Sequence, residues 1–492
     1  MNTILFRKYV PFVALLGLGL TACQPDLEDD FKASAGTADF SRYIAVGNSL
    51  TAGYSDNGLY LEGQQSSYPN LLAMQFKQVG GGDFVQPLFK AANGSGYLTI
   101  TGFNADGTPQ INPEAKDNNG TYVAPGQFAT GRAYTAAGVP LLERYGATDN
   151  QNLGVPGIRI ADITTASYGR LTGTSNPLTF NSYFERLLPS ATDTRSYLDY
   201  VKSQVSAVNP TFFTNWLGNN DVLGFASTGG TGAPLTAVPE FTTKYGQMLD
   251  ALTTGGAKGL VATIPNVTNV PLFTTVPTAA VIAQVSATPI PPALVPVIAN
   301  LLKLPAGSPL PSGTRFGLYI RTGAGTNREA TANDLLLLPA RGVINTPSTT
   351  SPFPNGIGLV IPNADAPTTA ALAASANALA SSLVLDAAET KAVVDRTTEL
   401  NNVIMTAAKA KNLAVFDANA YFTSIARTGV ITNGINNTAA FVSGNLFSLD
   451  GVHPTPRGYA LVANEMIKVI NATYGASVPQ LNAAAYRGVE FP

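Results

Sequence analysis

Ser49 stands in Gly47-Asn48-Ser49-Leu50, directly after the apolar run Tyr43-Ile44-Ala45-Val46. Gly and Asn form turns readily, so the phrase reads either as a plain turn or as a nucleophile held at the exit of a strand. A serine hydroxyl is a weak nucleophile at neutral pH and needs an adjacent base. The chain has one histidine, His453, in Ser448-Leu449-Asp450-Gly451-Val452-His453-Pro454. Imidazole suits general-base work near neutrality. Asp450, three residues earlier, can turn back in a tight loop and accept the proton of the other ring nitrogen. That bond would fix tautomer and orientation. An isolated Asp-x-x-His turn is more often structural; its pairing with Ser49 is what points to acyl transfer.

Acyl transfer also needs donors for an oxyanion. Ser49 can offer its own backbone N–H where it opens a helix. Asn220, in Leu217-Gly218-Asn219-Asn220-Asp221, can offer a side-chain amide, and Gly157, in Asn152-Leu153-Gly154-Val155-Pro156-Gly157, allows close backbone approach. Singly, Asn-Asn and Pro-Gly pairs are ordinary turn residues.

The elements that must position these groups follow from periodicity. Apolar runs at 43–46, 211–217, 260–264 and 413–416 read as buried strands. Leu198, Val201 and Val205 share a helical face, as do Phe241, Tyr245, Met248, Leu249 and Leu252, and Gly255-Gly256 stops that second helix. Asp386 and Glu389 have capping-box spacing, followed by Val393, Leu400, Val403, Ile404 and Ala407. After His453, Thr455 can cap a helix with Pro456 at its first position, and Tyr459, Val462, Ala463, Met466, Ile467 and Ile470 give it an apolar face. Strands alternating with helices imply right-handed crossovers and a parallel sheet, whose strand C-termini share one edge. Two stretches break the alternation. Residues 77–150 are Gly-rich with alternating pieces such as Tyr97-Leu98-Thr99-Ile100-Thr101, and residues 274–385 are rich in Pro, Ala and Thr. Within the second, the apolar, Pro-broken stretch at 291–302 reads as a packing element of the insertion, as a wall for an acyl chain, or as a lid.

The composition bounds the function. The chain has 492 residues, 45% hydrophobic and 12% charged, so it can bury a large core and is not disordered as a whole. Lys and Arg total 29 against 31 Asp and Glu, with no basic stripe to suit nucleic acid. One histidine and one cysteine leave too few ligands for a zinc hydrolase. Calcium held by loop carboxylates stays open, although no EF-hand loop is present. No G-x-S-x-G pentad of the α/β-hydrolase kind occurs.

The N-terminus reads as a targeting segment. Arg7 and Lys8 precede an apolar stretch at 10–20 of signal-peptide length, which ends in Leu20-Thr21-Ala22-Cys23. Small residues before a cysteine resemble the lipobox of bacterial lipoproteins. On that reading residues 1–22 are removed and Cys23 carries lipid; a plain secretory signal is the alternative. The acidic stretch Asp26-Leu27-Glu28-Asp29-Asp30 fits an extended tether over 23–38, and it resembles export signals of surface lipoproteins of the Bacteroidetes.

The ordered set Gly47-Asn48-Ser49-Leu50, Asn152-x-x-x-x-Gly157, Gly218-x-Asn220-Asp221 and Asp450-x-x-His453-Pro454 resembles the SGNH, or GDSL, family of serine hydrolases. The matched core spans roughly 40–76, 150–272 and 386–475. The family block usually has Asp where this chain has Asn48. The resemblance implies a flavodoxin-like three-layer α/β/α fold with a parallel sheet, here over 39–475 with insertions at about 77–150 and 274–385 and a tail at 476–492. It implies Ser49 as nucleophile, His453 as general base and acid, and Asp450 as its orienter. Ser49, Gly157 and Asn220 would form the oxyanion hole, with no metal and no cofactor. The expected partner is an ester, either an acyl lipid or an acylated carbohydrate. With Cys23 lipidated, the protein would sit at a membrane, the outer membrane being the expected place, on the cell surface or the periplasmic face. The rival reading is a surface lipoprotein that binds glycan or lipid on the same scaffold without turning it over.

Overall fold

The computed structural model describes residues 32–90, 94–105, 107–113, 142, 144–170, 180–305 and 307–492. Five short strands form one parallel sheet: β1 (Tyr43–Gly47), β2 (Asn152–Gly154), β3 (Phe212–Trp216), β4 (Lys258–Ala262) and β5 (Ala414–Phe416). Their spatial order is β5-β4-β3-β1-β2. This is the flavodoxin-like order, which reverses direction at β1 and opens a crevice between β1 and β3 at the strand C-termini. All five residues of β1 and of β3 are buried, as a parallel sheet covered on both faces requires.

The covering helices are α1 (Ser49–Ala52), α2 (Tyr68–Phe76), α3 (Tyr197–Val208), α4 (Asn220–Ala226), α5 (Val238–Thr253), α6 (Ala387–Ala410) and α7 (Pro456–Tyr474). α2 packs on α7, while α5 packs on both α3 and α6. The sheet lies between these two groups, giving three layers. Apolar spacing explains the packing: Phe241, Tyr245, Met248, Leu249 and Leu252 of α5 are all buried, as are Val393, Leu400 and Ile404 of α6. Asp386 caps α6 through the N–H groups of Ala388 and Glu389, and Glu389 returns a bond to the Asp386 N–H. Thr455 caps α7 through the Gly458 N–H.

The strands expected at 43–46, 211–217, 260–264 and 413–416 are present with small shifts of boundary. β2 was not expected. It pairs with β1 in the register Ala45↔Asn152, Val46↔Leu153 and Gly47↔Gly154. Gly154 is required there, because a Cβ would collide with the backbone N of Ala52 in α1.

Between β1 and β2, the described part of the chain carries an antiparallel hairpin, Leu98–Phe103 with Pro109–Pro113. Between β4 and α6 the chain builds a lobe. Its strand Arg315–Arg321 pairs antiparallel with Ile357–Val360 and Asn327–Glu329, and helices Thr278–Ala287, Val295–Leu301 and Ala366–Ser375 surround it. The lobe has apolar clusters of its own, one around Leu318, Ile320 and Leu336, the other around Val285, Ile298, Phe316 and Leu359. The 291–302 stretch forms a 3-10 turn and a short helix. Ile298 is its contribution to the lobe's core, while Val297 and Leu301 stay about 40% exposed. No single helix among the described residues is long and apolar enough to cross a membrane. Thr278–Ala287 and Pro292–Leu301 pass that test together, but with an 83° bend.

Candidate active site

Three loops converge at the C-terminal edge of the sheet. The first leaves β1. Asn48 caps α1 by accepting the Leu50 N–H at 3.1 Å, and Gly53 ends the helix in a left-handed conformation after one turn. Ser49 is thereby fixed at the first helical position, buried but for 6% of its surface. The Asn48 side chain keeps the local cap that a carboxylate would make; its Nδ2 is buried without a partner among the described residues.

The second loop runs from the small hairpin Val430–Thr432/Ile435–Asn437 to α7, and carries Asp450 and His453. His453 Nε2 lies 2.8 Å from Ser49 Oγ, and Nδ1 lies 2.8 Å from Asp450 Oδ2. The Asp450 carboxylate is heavily hydrogen-bonded. Oδ1 accepts the N–H groups of Val452 and His453, both at 2.8 Å, and Oδ2 also accepts the Asn57 N–H at 2.9 Å. Burial pushes this carboxyl upward, but the charge of His453 and the hydrogen bonds from His453 and Val452 outweigh it and hold it at about 2. The Tyr54 ring covers the imidazole with 4.7 Å between centroids.

The third region joins the exits of β2 and β3. Gly157 has φ +82°, a conformation open to glycine, and is exposed. No hydrogen bond among the described residues engages the backbone N–H of Ser49 or of Gly157. Asn220 opens α4 and donates one side-chain N–H to the carbonyl of Ile158 at 2.9 Å, next to Gly157; its second N–H has no partner among the described residues. The sequence-expected residues Ser49, Asp450 and His453 therefore meet directly, and Asn220 is tied to the Gly157 turn. α1 is a single turn, so the donors available are individual N–H groups rather than the end of a long helix.

Sequence reasoning missed the residues that brace this arrangement. Asp221 sits in the Gly218-x-Asn220-Asp221 block but had no role assigned. It is fully buried and accepts the N–H groups of Ile160 (2.8 Å) and Ala161 (3.2 Å) and the Thr236 hydroxyl (2.7 Å). It thus clamps the turn after Gly157 to the helix of Asn220. Burial pushes its carboxyl up to about 6 against those hydrogen bonds. Asn152 donates to the Thr51 carbonyl at 3.0 Å, tying β2 to α1.

Asp56 and Asn57 brace the histidine loop from the nucleophile's side. Asp56 accepts the Leu449 N–H at 3.0 Å and the Tyr60 hydroxyl at 2.7 Å, and its own N–H donates to Ser448 Oγ at 2.9 Å. Ser55 donates to the Pro454 carbonyl at 3.0 Å, and Tyr459 to the Tyr54 carbonyl at 2.6 Å. In sequence, Asp56-Asn57-Gly58 is indistinguishable from any turn.

A serine, an imidazole and a carboxylate in one hydrogen-bonded line, beside unpaired N–H donors, form the apparatus of acyl transfer. The sequence of residues 43–466 matches the model of the GDSL-like lipase/acylhydrolase family. The chain belongs to that family. The match begins at β1 and ends within α7, so it covers every strand of the sheet and each residue of the site. Membership in this family, with the parallel sheet, makes the chain a hydrolase of the lipase/acylhydrolase type with ester substrates. A comparison with curated proteins gave no match. Among the described residues, no group of three or more His, Cys, Asp or Glu side chains is placed to hold a metal ion.

Proposed function

We propose that the chain cleaves carboxylic esters through an acyl-serine intermediate. The observation that carries this reading is the unbroken hydrogen-bond line from Ser49 Oγ through His453 to the largely covered Asp450 carboxylate. Ser49 Oγ attacks the ester carbonyl carbon as its proton passes to His453 Nε2. The carbonyl oxygen becomes an oxyanion, received by the N–H groups of Ser49 and Gly157 and by the second N–H of Asn220. The tetrahedral species collapses, the bond to the alcohol oxygen breaks, and His453 protonates the departing alkoxide. Water then attacks the acyl-serine, passing its proton to His453, and the carboxylic acid leaves as Ser49 recovers its proton. Asp450 stays ionised throughout. Its role is to hold the imidazole and stabilise the imidazolium, and a carboxyl held at about 2 supports that role.

We place the substrate among acyl lipids, ahead of acylated carbohydrates, and the mature chain at a membrane through lipidated Cys23, which lies outside the described residues. The outer membrane, on the surface or periplasmic face, is the site we assign. Residues 39–475 are read as one hydrolase domain with insertions at about 77–150 and 274–385. Purified protein lacking residues 1–22 should hydrolyse p-nitrophenyl esters, and a panel of acyl lengths set against acetylated sugars sorts the substrate class. A protein that binds these compounds but turns over none of them would establish the non-catalytic reading instead.

A further inference from the structure

The lobe between β4 and α6 contains a second concavity. Helix Thr278–Ala287 lies across strand Arg315–Arg321 and leaves a groove of about 490 Å³. Val281, Val285, Phe316, Ile344 and Ile357 supply apolar wall, and no residue of the serine site lines it. The volume falls within the range of small-molecule sites, roughly 300–1,000 Å³. Helix Thr278–Ala287 carries no charge, and no charged residue stands anywhere between Lys258 and Lys303.

Arg341 is the one charged side chain on the groove wall. It is exposed and makes no ion pair or hydrogen bond with any described residue. Two arginines of the same lobe are paired, Arg315 with Glu329 at 3.0 Å and Arg328 with Asp334 at 2.6 Å, whereas Arg321, like Arg341, is exposed and without a side-chain partner among the described residues, but does not line the groove. Arg341 and Thr275 also line an adjoining space of about 420 Å³, bounded on its far side by the tip of the first hairpin and by residues 439–442. The guanidinium therefore stands where an apolar trough opens into a shallower, more polar space.

We propose that this groove is a second binding site, separate from the serine site, for a free long-chain carboxylate. The acyl chain lies against Val281, Val285 and Phe316, and the carboxylate pairs with Arg341. A guanidinium matches a carboxylate in a planar two-bond fork. An exposed ion pair contributes little by itself, so burial of the acyl chain supplies most of the affinity, and Arg341 selects the head. The turn that carries Arg341 also reaches the catalytic loop. Arg341 lies on the 3-10 turn Leu338–Gly342, and Leu338 packs beside Gly451, whose carbonyl accepts the Leu272 N–H at 2.9 Å. The inference rests on groove and charge alone and stands or falls apart from ester hydrolysis.

Calorimetric titration of laurate below its micelle concentration into the Ser49→Ala protein tests it. Saturable binding of one laurate per chain is expected. Ala280→Trp and Gln284→Trp, each an exposed position on the groove wall, should weaken it at least about tenfold by filling the trough, and a cooperative melt identifies whichever of the two is folded. Arg341→Ala should weaken laurate about fivefold while leaving the neutral alcohol dodecanol unchanged, and Arg341→Lys should recover part of the loss. Absence of saturable binding, or equal binding by the folded tryptophan variants, would overturn the site. Equal affinity for laurate and dodecanol, or an Arg341→Ala protein that still prefers laurate, would overturn its assignment to an anionic head.

Discussion

At the scale of residues, three side chains in line, Ser49, His453 and Asp450, carry the chemistry. Ser49→Ala and His453→Ala are each expected to lower ester turnover by on the order of a thousandfold or more, and the double variant should be scarcely worse, because triad members act as a unit. Near-normal turnover by Ser49→Ala in a steady-state assay would remove Ser49 from the mechanism. Asp450→Asn should be severe in turnover with the fold intact. The same carboxylate also gives a stability signature. Its folded pKa of about 2 lies below the ordinary value of roughly 3.9. Ionised Asp450 therefore stabilises the fold above pH 4, and the contribution disappears as pH falls from about 4 towards 2. Thermal melts should show wild type and Asp450→Asn converging in Tm over that window; a constant gap would contradict the paired carboxylate. These residues were legible in the sequence because their chemistry is scarce. One histidine with an aspartate three residues before it leaves little choice of base. Asp221 and Asp56 were not legible as braces, because burial gives them their roles and a lone sequence does not display burial.

At the scale of elements, the site is precise because its three loops are bonded to one another. The turn at Asp56-Asn57 holds the histidine loop through the N–H groups of Leu449 and Asn57 and through Ser448 Oγ. Asp56→Ala would leave the Leu449 N–H buried and unpaired, at a cost of about 1–3 kcal/mol, and would remove the acceptor of the Tyr60 hydroxyl, which would keep only the bond it accepts from Arg487 at 3.3 Å. Asp56→Ala is expected to lower both Tm and kcat, the latter by about tenfold, with KM little changed and partial recovery in Asp56→Asn. An unchanged kcat at a temperature where the variant is folded would make the turn a scaffold only. Asp221 acts in the opposite pH sense to Asp450. Its folded pKa of about 6 lies above the ordinary value, so the folded state binds the proton more tightly. Stability from this group therefore falls as pH rises from about 4 to 6. Asp221→Asn, though less stable overall, should show a flatter Tm profile across that range, and an unaltered slope would contradict the assignment. β1, β3, β4 and β5 were readable as apolar runs. β2 was not, because Asn152-Leu153-Gly154 has one apolar residue and owes its strand to pairing with β1. Helix Thr278–Ala287 was also missed, since Ala and Val all round it leave no face for periodicity to detect.

At the scale of the whole molecule, the flavodoxin-like order puts the exits of β1, β2 and β3 beside one crevice, and the lobe at 274–385 follows β4, whose C-terminal end lies on that side, whereas the excursion at 77–150 follows α2. The order itself was not deducible from the chain, because strand sequence does not state which neighbours pair; the family resemblance supplied it. The lobe's contact with Gly451 couples its packing to the histidine loop. Anchoring belongs to this scale too. Cys23→Ser should move the protein from the membrane fraction to the soluble fraction with activity on a soluble ester retained, and a variant that remains with membranes would show that something other than lipid holds it. The central claim is that Ser49 becomes acylated, and one measurement reaches it directly. Intact protein mixed with excess p-nitrophenyl ester and quenched in acid within the first turnover should gain the mass of one acyl group. Peptide mapping should place that group on Ser49, and the Ser49→Ala and His453→Ala proteins should show none. Acylation at another residue, or full turnover by wild type with no acyl group on Ser49 at any quench time, would contradict the mechanism.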